Sequence, residues 1–135
     1  MNHPESQMQR ALIHWWGMAW RGLGAPDERV LFAVPNGGAR HIATAARLKA
    51  EGVRAGVPDL FLALPNGRDH GLWIELKAGK AGRVSDAQTM MQAVLFGSGY
   101  TTTVCRSLDE AMAVVSARCE VYATARKLRR IAAEA

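Results

Sequence analysis

Four charged residues fall where the apolar pattern of the chain does not expect a solvated side chain. The stretch from Gly56 to Lys80, GVPDLFLALPNGRDHGLWIELKAGK, holds two apolar runs, Val57 to Leu64 and Leu72 to Leu76. Asp59 sits near the start of the first, and Glu75 and Lys77 near the end of the second. Glu5 lies three residues before Met8 and seven before Leu12, on the apolar stripe of an opening helix. Three carboxylates gathered in one place repel one another unless a cation is bound. Oxygen ligands, with water in the remaining positions, are what Mg²⁺ or Mn²⁺ prefer. An ammonium two residues after Glu75 points to the same side of a strand. There it could orient or help deprotonate an attacking water and offset negative charge building on a phosphate. Such a set suits phosphodiester hydrolysis. The competing reading is structural: a strand-end ion pair of Asp59 with Lys77, and Glu5 at the positive end of a helix dipole. Residue types and spacing leave both open.

The elements that would position these groups are legible in the flanking pattern. Two runs of this length, bounded by Pro, Asn and Gly, predict a β-hairpin. Folded around Asn66–Asp69, the hairpin sets Asp59 opposite Lys77 and Phe61 opposite Glu75. Two-residue alternation then puts Asp59, Glu75 and Lys77 on one face at one end of the ribbon. Upstream, Met8, Leu12, Trp16, Ala19 and Leu23 predict a helix over Glu5 to Leu23, broken by GLGAPD. Arg29 to Val34 reads as a short strand ended by Pro35-Asn36-Gly37-Gly38, a turn without phosphate-loop spacing, and Arg40 to Glu51 as a short helix. Downstream, Ala78 to Arg83 reads as a flexible basic loop. Ser85-Asp86-Ala87-Gln88 matches a capping box opening a helix to about Gly97, with Ala87, Met91, Val94 and Leu95 on its apolar side. Tyr100 to Arg106 is a β-branched strand, and Ser107 caps a last helix with Leu108, Met112, Val115, Cys119 and Tyr122 in period. Its end carries Arg126, Lys127, Arg129 and Arg130, suited to phosphates or simply to a helix C-terminus. The order predicts one α/β domain over residues 1–135, with a core over about 5–106 and a C-terminal helix over 107–134: a small mixed β-sheet flanked by helices.

Composition narrows the class. At 135 residues and 49% hydrophobic content the chain can bury a real core. Seventeen basic against 12 acidic residues give +5, with a pI near 9.8, which favours an anionic partner, most simply nucleic acid. Cys105 and Cys119 have no CxxC or zinc-ligand context and read as buried thiols of a reducing compartment. No apolar stretch is long enough to span a bilayer, and the opening NHPESQMQR is too polar for a secretory signal, so a cytoplasmic location is expected.

Pro58-Asp59 followed by Glu75-Leu76-Lys77 resembles the PD-(D/E)XK nuclease superfamily. The wider context resembles its VRR-NUC (virus-type replication-repair nuclease) family. It comprises Glu5-Ser6-Gln7, Pro35-Asn36-Gly37-Gly38, Arg47-Leu48-Lys49, Gly52-Val53, Gly56 through Leu60, Ile74 through Lys77 and Ser85 through Gln88, in order at compatible spacing. This resemblance implies a restriction-endonuclease-like domain and an Mg²⁺- or Mn²⁺-dependent DNA endonuclease. It implies Asp59, Glu75 and the Leu76 carbonyl as metal ligands, Lys77 as the catalytic lysine, Glu5 as the first-helix acid, and Gln88 as a glutamine near the active site. Small members of the family, often encoded by phages or prophages, pair into homodimers that cut branched DNA such as four-way junctions. DNA and a second copy of the chain are therefore the expected partners, with no membrane and no small organic cofactor. A different class remains in view: a nucleic-acid-binding module that keeps the fold but holds DNA without cutting it. A third is a subunit that cuts only with a partner protein.

Overall fold

The computed structural model describes residues 3–35 and 42–135. Helix α1 (His3–Ala19) leads into strand β1 (Leu31–Ala33) and the short helix α2 (Ile42–Ala50). Strands β2 (Leu60–Leu62) and β3 (Leu72–Leu76) follow, then helix α3 (Asp86–Gly97), strand β4 (Thr101–Cys105) and the long helix α4 (Leu108–Glu134). The sheet order is β1-β2-β3-β4. The first three strands run antiparallel to their neighbours, and β4 lies parallel to β3. A parallel pair needs a crossover, and α3 supplies it. The fold is mixed α/β, as the sequence predicts.

Alternation along the strands decides what each face does. Leu60 and Leu62 of β2 and Leu72, Ile74 and Leu76 of β3 point to one side and are buried. Against them pack Leu12 and Trp16 of α1 and Ala111, Val115 and Cys119 of α4. Each such buried Leu or Ile contributes on the order of 2–5 kcal/mol against truncation to Ala. Trp16 also donates its indole N–H to the Glu28 carbonyl at 2.7 Å, so its one polar atom is satisfied. The other face carries Asp59, Phe61, Trp73, Glu75 and Lys77. Phe32, Phe61 and Trp73 are cross-strand partners there, with ring centroids 5.7 and 4.4 Å apart.

The hairpin forms, but in a register two residues from the expected one. Leu60 pairs with Ile74, Phe61 with Trp73 and Leu62 with Leu72. Continued by one residue, that register sets Asp59 beside Glu75 rather than Lys77. Residues 63–71 form a nine-residue connection centred on Gly67, whose φ is +87°. Asn66 Oδ1 accepts from the amides of Arg68 and Asp69. Asp69 is drawn away from the strands: Arg118 of α4 donates to both of its oxygens (2.6 and 3.2 Å), Thr101 donates to Oδ2, and Arg118 also reaches the Leu64 carbonyl at 3.2 Å. These tertiary ties, not a tight turn, fix the register. Because the slip is two residues, every side chain keeps its face.

Other boundaries move for local reasons. The expected strand from Arg29 begins instead as a 3-10 turn, Glu28–Val30, because Asp27 caps it by accepting from the Arg29 amide and guanidinium. Helix α1 stops at Ala19, and turns closed by Gly24 (φ +85°) replace the expected last turn to Leu23. Val94 of α3 is 62% exposed rather than inward. Caps behave as predicted: Ser85 and Gln88 form a full capping box on α3, and Ser107 caps α4. Both cysteines are free and buried, and burial pushes each thiol up to about 11. The Asn36-Gly37-Gly38 turn and Arg40 lie outside the described residues.

Candidate active site

Asp59 follows the buried Pro58 and directly precedes β2. Its Oδ2 accepts the Leu76 amide at 2.7 Å, which ties the start of β2 to the end of β3. An extended residue directs its N–H and C=O to the same flank, so the Leu76 carbonyl also leaves β3 on the Asp59 side. Glu75 and Lys77 project from β3 on the face opposite the leucine core and are only 3% and 8% exposed. Lys77 Nζ lies 3.4 Å from Glu75 Oε2. The ion pair thus joins Lys77 to Glu75, in place of the Asp59 pairing that a purely structural reading offered. The Lys77 amide donates to the Cys105 carbonyl at 3.0 Å, anchoring the lysine at the sheet's end.

Two neighbouring segments close around this group. Gly56, at φ +84°, lies so near α3 that a Cβ there would come 2.3 Å from the Ala87 carbonyl oxygen. This contact seats the first turn of α3 beside Asp59. From that turn Gln88 donates Nε2–H to Glu75 Oε2 at 3.0 Å, while its Oε1 accepts the Ser85 amide at 2.9 Å. The 78–83 loop, expected to be flexible, is held. Arg106 donates to the carbonyls of Gly79 (3.1 Å) and Gly82 (2.6 Å), and Gly82 leaves just enough room for the Lys77 stem.

Electrostatics mark the carboxylates as unusual. Burial, then the adjacent Asp59 charge, push Glu75 up to about 8 despite the Lys77 ammonium. Burial raises Asp59 as well, with a further contribution from the Glu5 charge. The Leu76 amide and Lys77 oppose the shift. The two carboxyl groups are near enough for the Asp59 charge to act on the protonation of Glu75. Glu75 Oε1 is buried with no hydrogen-bond donor. A pair of desolvated carboxylates with one oxygen unsatisfied is a donor set that a hard divalent cation fits.

Glu5 lines the same cavity, of about 560 Å³, together with Asp59, Glu75, Lys77 and Gln88. The structure therefore brings all five expected side chains to one hollow, though not at equal range. Among the described residues, no three Asp, Glu, His or Cys side chains converge tightly enough to hold an ion between them. Asp59 and Glu75 are the close pair, and Glu5 lines the cavity from α1, near enough for its charge to act on Asp59. One lining residue escaped the sequence reading: Gln9, one helical turn after Glu5, whose buried Oε1 has no partner. Its signal was the four-residue spacing from Glu5, which puts both on one helix face.

A solved structure described as a VRR_NUC domain protein is similar to this chain, with a TM-score of 0.75 and 26% sequence identity, covering 90% of this chain and 92% of that one. No curated protein matches the chain. The family model for the VRR-NUC domain matches residues 3–109, from the start of α1 through β4 and into α4. That span takes in Glu5, Asp59, Glu75, Lys77 and Gln88 and covers well over half of the sequence: the chain belongs to the VRR-NUC domain family.

Proposed function

We propose that this nuclease-type fold works as a metal-dependent DNA endonuclease that hydrolyses phosphodiester bonds. One observation carries the reading: Asp59, Glu75, Lys77 and Gln88 meet in a cavity that Glu5 also lines, around a carboxylate pair raised by burial and left with an unsatisfied oxygen. Asp59, Glu75 and the Leu76 carbonyl would hold Mg²⁺ or Mn²⁺, with Glu5 reached through water. Bound there, the cation would offset charge on the scissile phosphate and lower the pKa of water. Lys77, already within 3.4 Å of Glu75, is placed as an ammonium to orient the attacking water or to stabilise phosphate charge. Gln88 holds Glu75 in its rotamer from a fixed helix turn. Leaving Lys77 and Glu75 paired and largely dry strengthens their mutual effect.

The same reading extends to branched DNA and to a homodimer, since two copies would present two such cavities to two strands. Met90 and Val94, one turn apart on α3, are 70% and 62% exposed, and none of the residues of α3 is fully buried. A second copy would cover that apolar face. Among the described residues no helix is long and apolar enough to cross a membrane.

The test is cleavage of supercoiled plasmid and of a labelled four-way junction by the purified protein, with Mg²⁺, with Mn²⁺ and with chelator. Cleavage with either ion, abolished by chelator and by Lys77→Ala, is the expected result. If wild type and Lys77→Ala behave alike on every substrate, the assignment is wrong. Sedimentation mass with and without Val94→Glu checks the dimer. The binding-module alternative predicts DNA affinity with no cutting and no dependence on Asp59 or Glu75.

A further inference from the structure

Four of the chain's 17 basic residues, Arg126, Lys127, Arg129 and Arg130, fall within five positions of α4, and no acid lies between Glu120 and Glu134. Without them 13 basic residues would stand against 12 acidic ones, so this one stretch holds nearly all the positive excess. Helix α4 starts beside the cavity. Arg106, just before its Ser107 cap, grips the loop that packs on Lys77. It then runs back along the sheet, reaching Asp69 through Arg118 at the opposite end, and packs Ala123 against Gly24. Beyond Ala125 every residue is exposed, including Leu128 and Ile131. The last turns project free of the body.

At the α-helical rise, Arg126 to Arg130 lie about 28–35 Å along the helix from Ser107. One turn of B-form duplex is about 34–36 Å. We propose that the projecting end of α4 is a second contact for duplex DNA, gripping the phosphate backbone away from the phosphate engaged at Asp59, Glu75 and Lys77. This placement rests on the nuclease reading of the cavity. Arg126, Arg129 and Arg130 recur at three- and four-residue spacing and share one side of the helix, a row of cations suited to consecutive phosphates. A second copy of the same segment is a poor occupant, since it would bring eight like charges together.

The experiment replaces Arg126, Lys127, Arg129 and Arg130 together by Gln, which preserves helix propensity, and measures DNA binding as a function of salt, with Mg²⁺ present and in a Lys77→Ala background that does not cut. On a duplex of about 20 bp, affinity should fall at least about tenfold, and the slope of log K against log salt should become shallower by about 3–4. On a duplex of about 8 bp, too short to span both contacts, the loss should stay within about threefold. Unchanged affinity and slope on the long duplex, an equal loss on both lengths, or a changed sedimentation mass would each overturn the proposal. Plasmid nicking in Mn²⁺ separates the two readings. A wild type that binds long duplex through these residues but never nicks removes the nuclease reading alone. A wild type that nicks while the variant binds unchanged removes the second contact alone.

Discussion

The side-chain amide of Gln88 donates to Glu75 Oε2 at 3.0 Å while its oxygen accepts the Ser85 amide at 2.9 Å. One residue therefore both closes the cap of α3 and fixes a buried carboxylate on β3. Neither task requires the other, and a glutamate could perform only the first, since its carboxylate has no N–H to give Glu75.

Gln88→Glu should therefore keep the cap and spoil the cavity. Melting temperature at neutral pH should stay within about 3 °C of wild type, because the S-x-x-E box remains. Plasmid nicking at fixed Mn²⁺ should fall on the order of tenfold as a third carboxylate crowds Glu75. Equal nicking by both proteins would remove Gln88 from the working set.

Glu75→Gln should abolish cleavage yet stabilise the metal-free protein at alkaline pH. The folded pKa of Glu75 is raised from 4.5 to about 8, so the folded chain holds a proton that the unfolded chain releases. Stability is then full below about pH 4.5 and falls as pH rises through 8. Gln mimics the protonated acid and escapes that loss. In chelator at pH 8.5 its melting temperature should exceed wild type by several degrees, on the order of 2 kcal/mol. At pH 4 the two should coincide. Added Mn²⁺ should raise the wild-type melting temperature and leave the variant's nearly unchanged.

Asp69 gives the opposite pH signature. Burial works against its charge, but the hydrogen bonds of Arg118 and Thr101 prevail and hold its pKa below 3.8. Its contribution is present above pH 3.8 and is lost as the solution is acidified through the lower folded value. Asp69→Asn, which leaves Arg118 buried without its counter-charge, should cost about 2–4 kcal/mol at pH 7. Denaturant titration should show that penalty shrinking as the pH falls below 3.8.

Gly56→Ala should harm both stability and cutting. A Cβ there meets the Ala87 carbonyl at 2.3 Å, and the backbone stands at φ +84°. The strain alone is of order 1–3 kcal/mol, and relief by moving α3 would carry Gln88 away from Glu75. Gly67→Ala, also at positive φ but with open space around it, should show the strain without the loss of nicking.

The sequence carried the element order and the two caps because both are local. Serine three positions before glutamine, and leucines alternating along β3, need no knowledge of the rest of the chain. It also carried the face shared by Asp59, Glu75 and Lys77, since parity survives a slip of two. It missed the register itself, which Arg118 sets by pulling Asp69 from 49 positions away. That miss mattered chemically: the cross-strand neighbour of Asp59 is a second carboxylate, and the lysine pairs within its own strand. The second hydrogen bond of Gln88 was hidden for a similar reason, because it depends on how a helix docks rather than on its own pattern.

Strand β3 lies between β2 and β4, and it ends on Glu75 and Leu76, directly before Lys77. Interior strands are the last to release their amides to exchange with solvent, whereas fraying begins at rims and ends. This end of β3 is tied on both flanks, by the Leu76 amide on Asp59 and the Lys77 amide on the Cys105 carbonyl. Heat inactivation should accordingly follow the global melting curve, with no earlier phase in which a folded but disarmed protein accumulates.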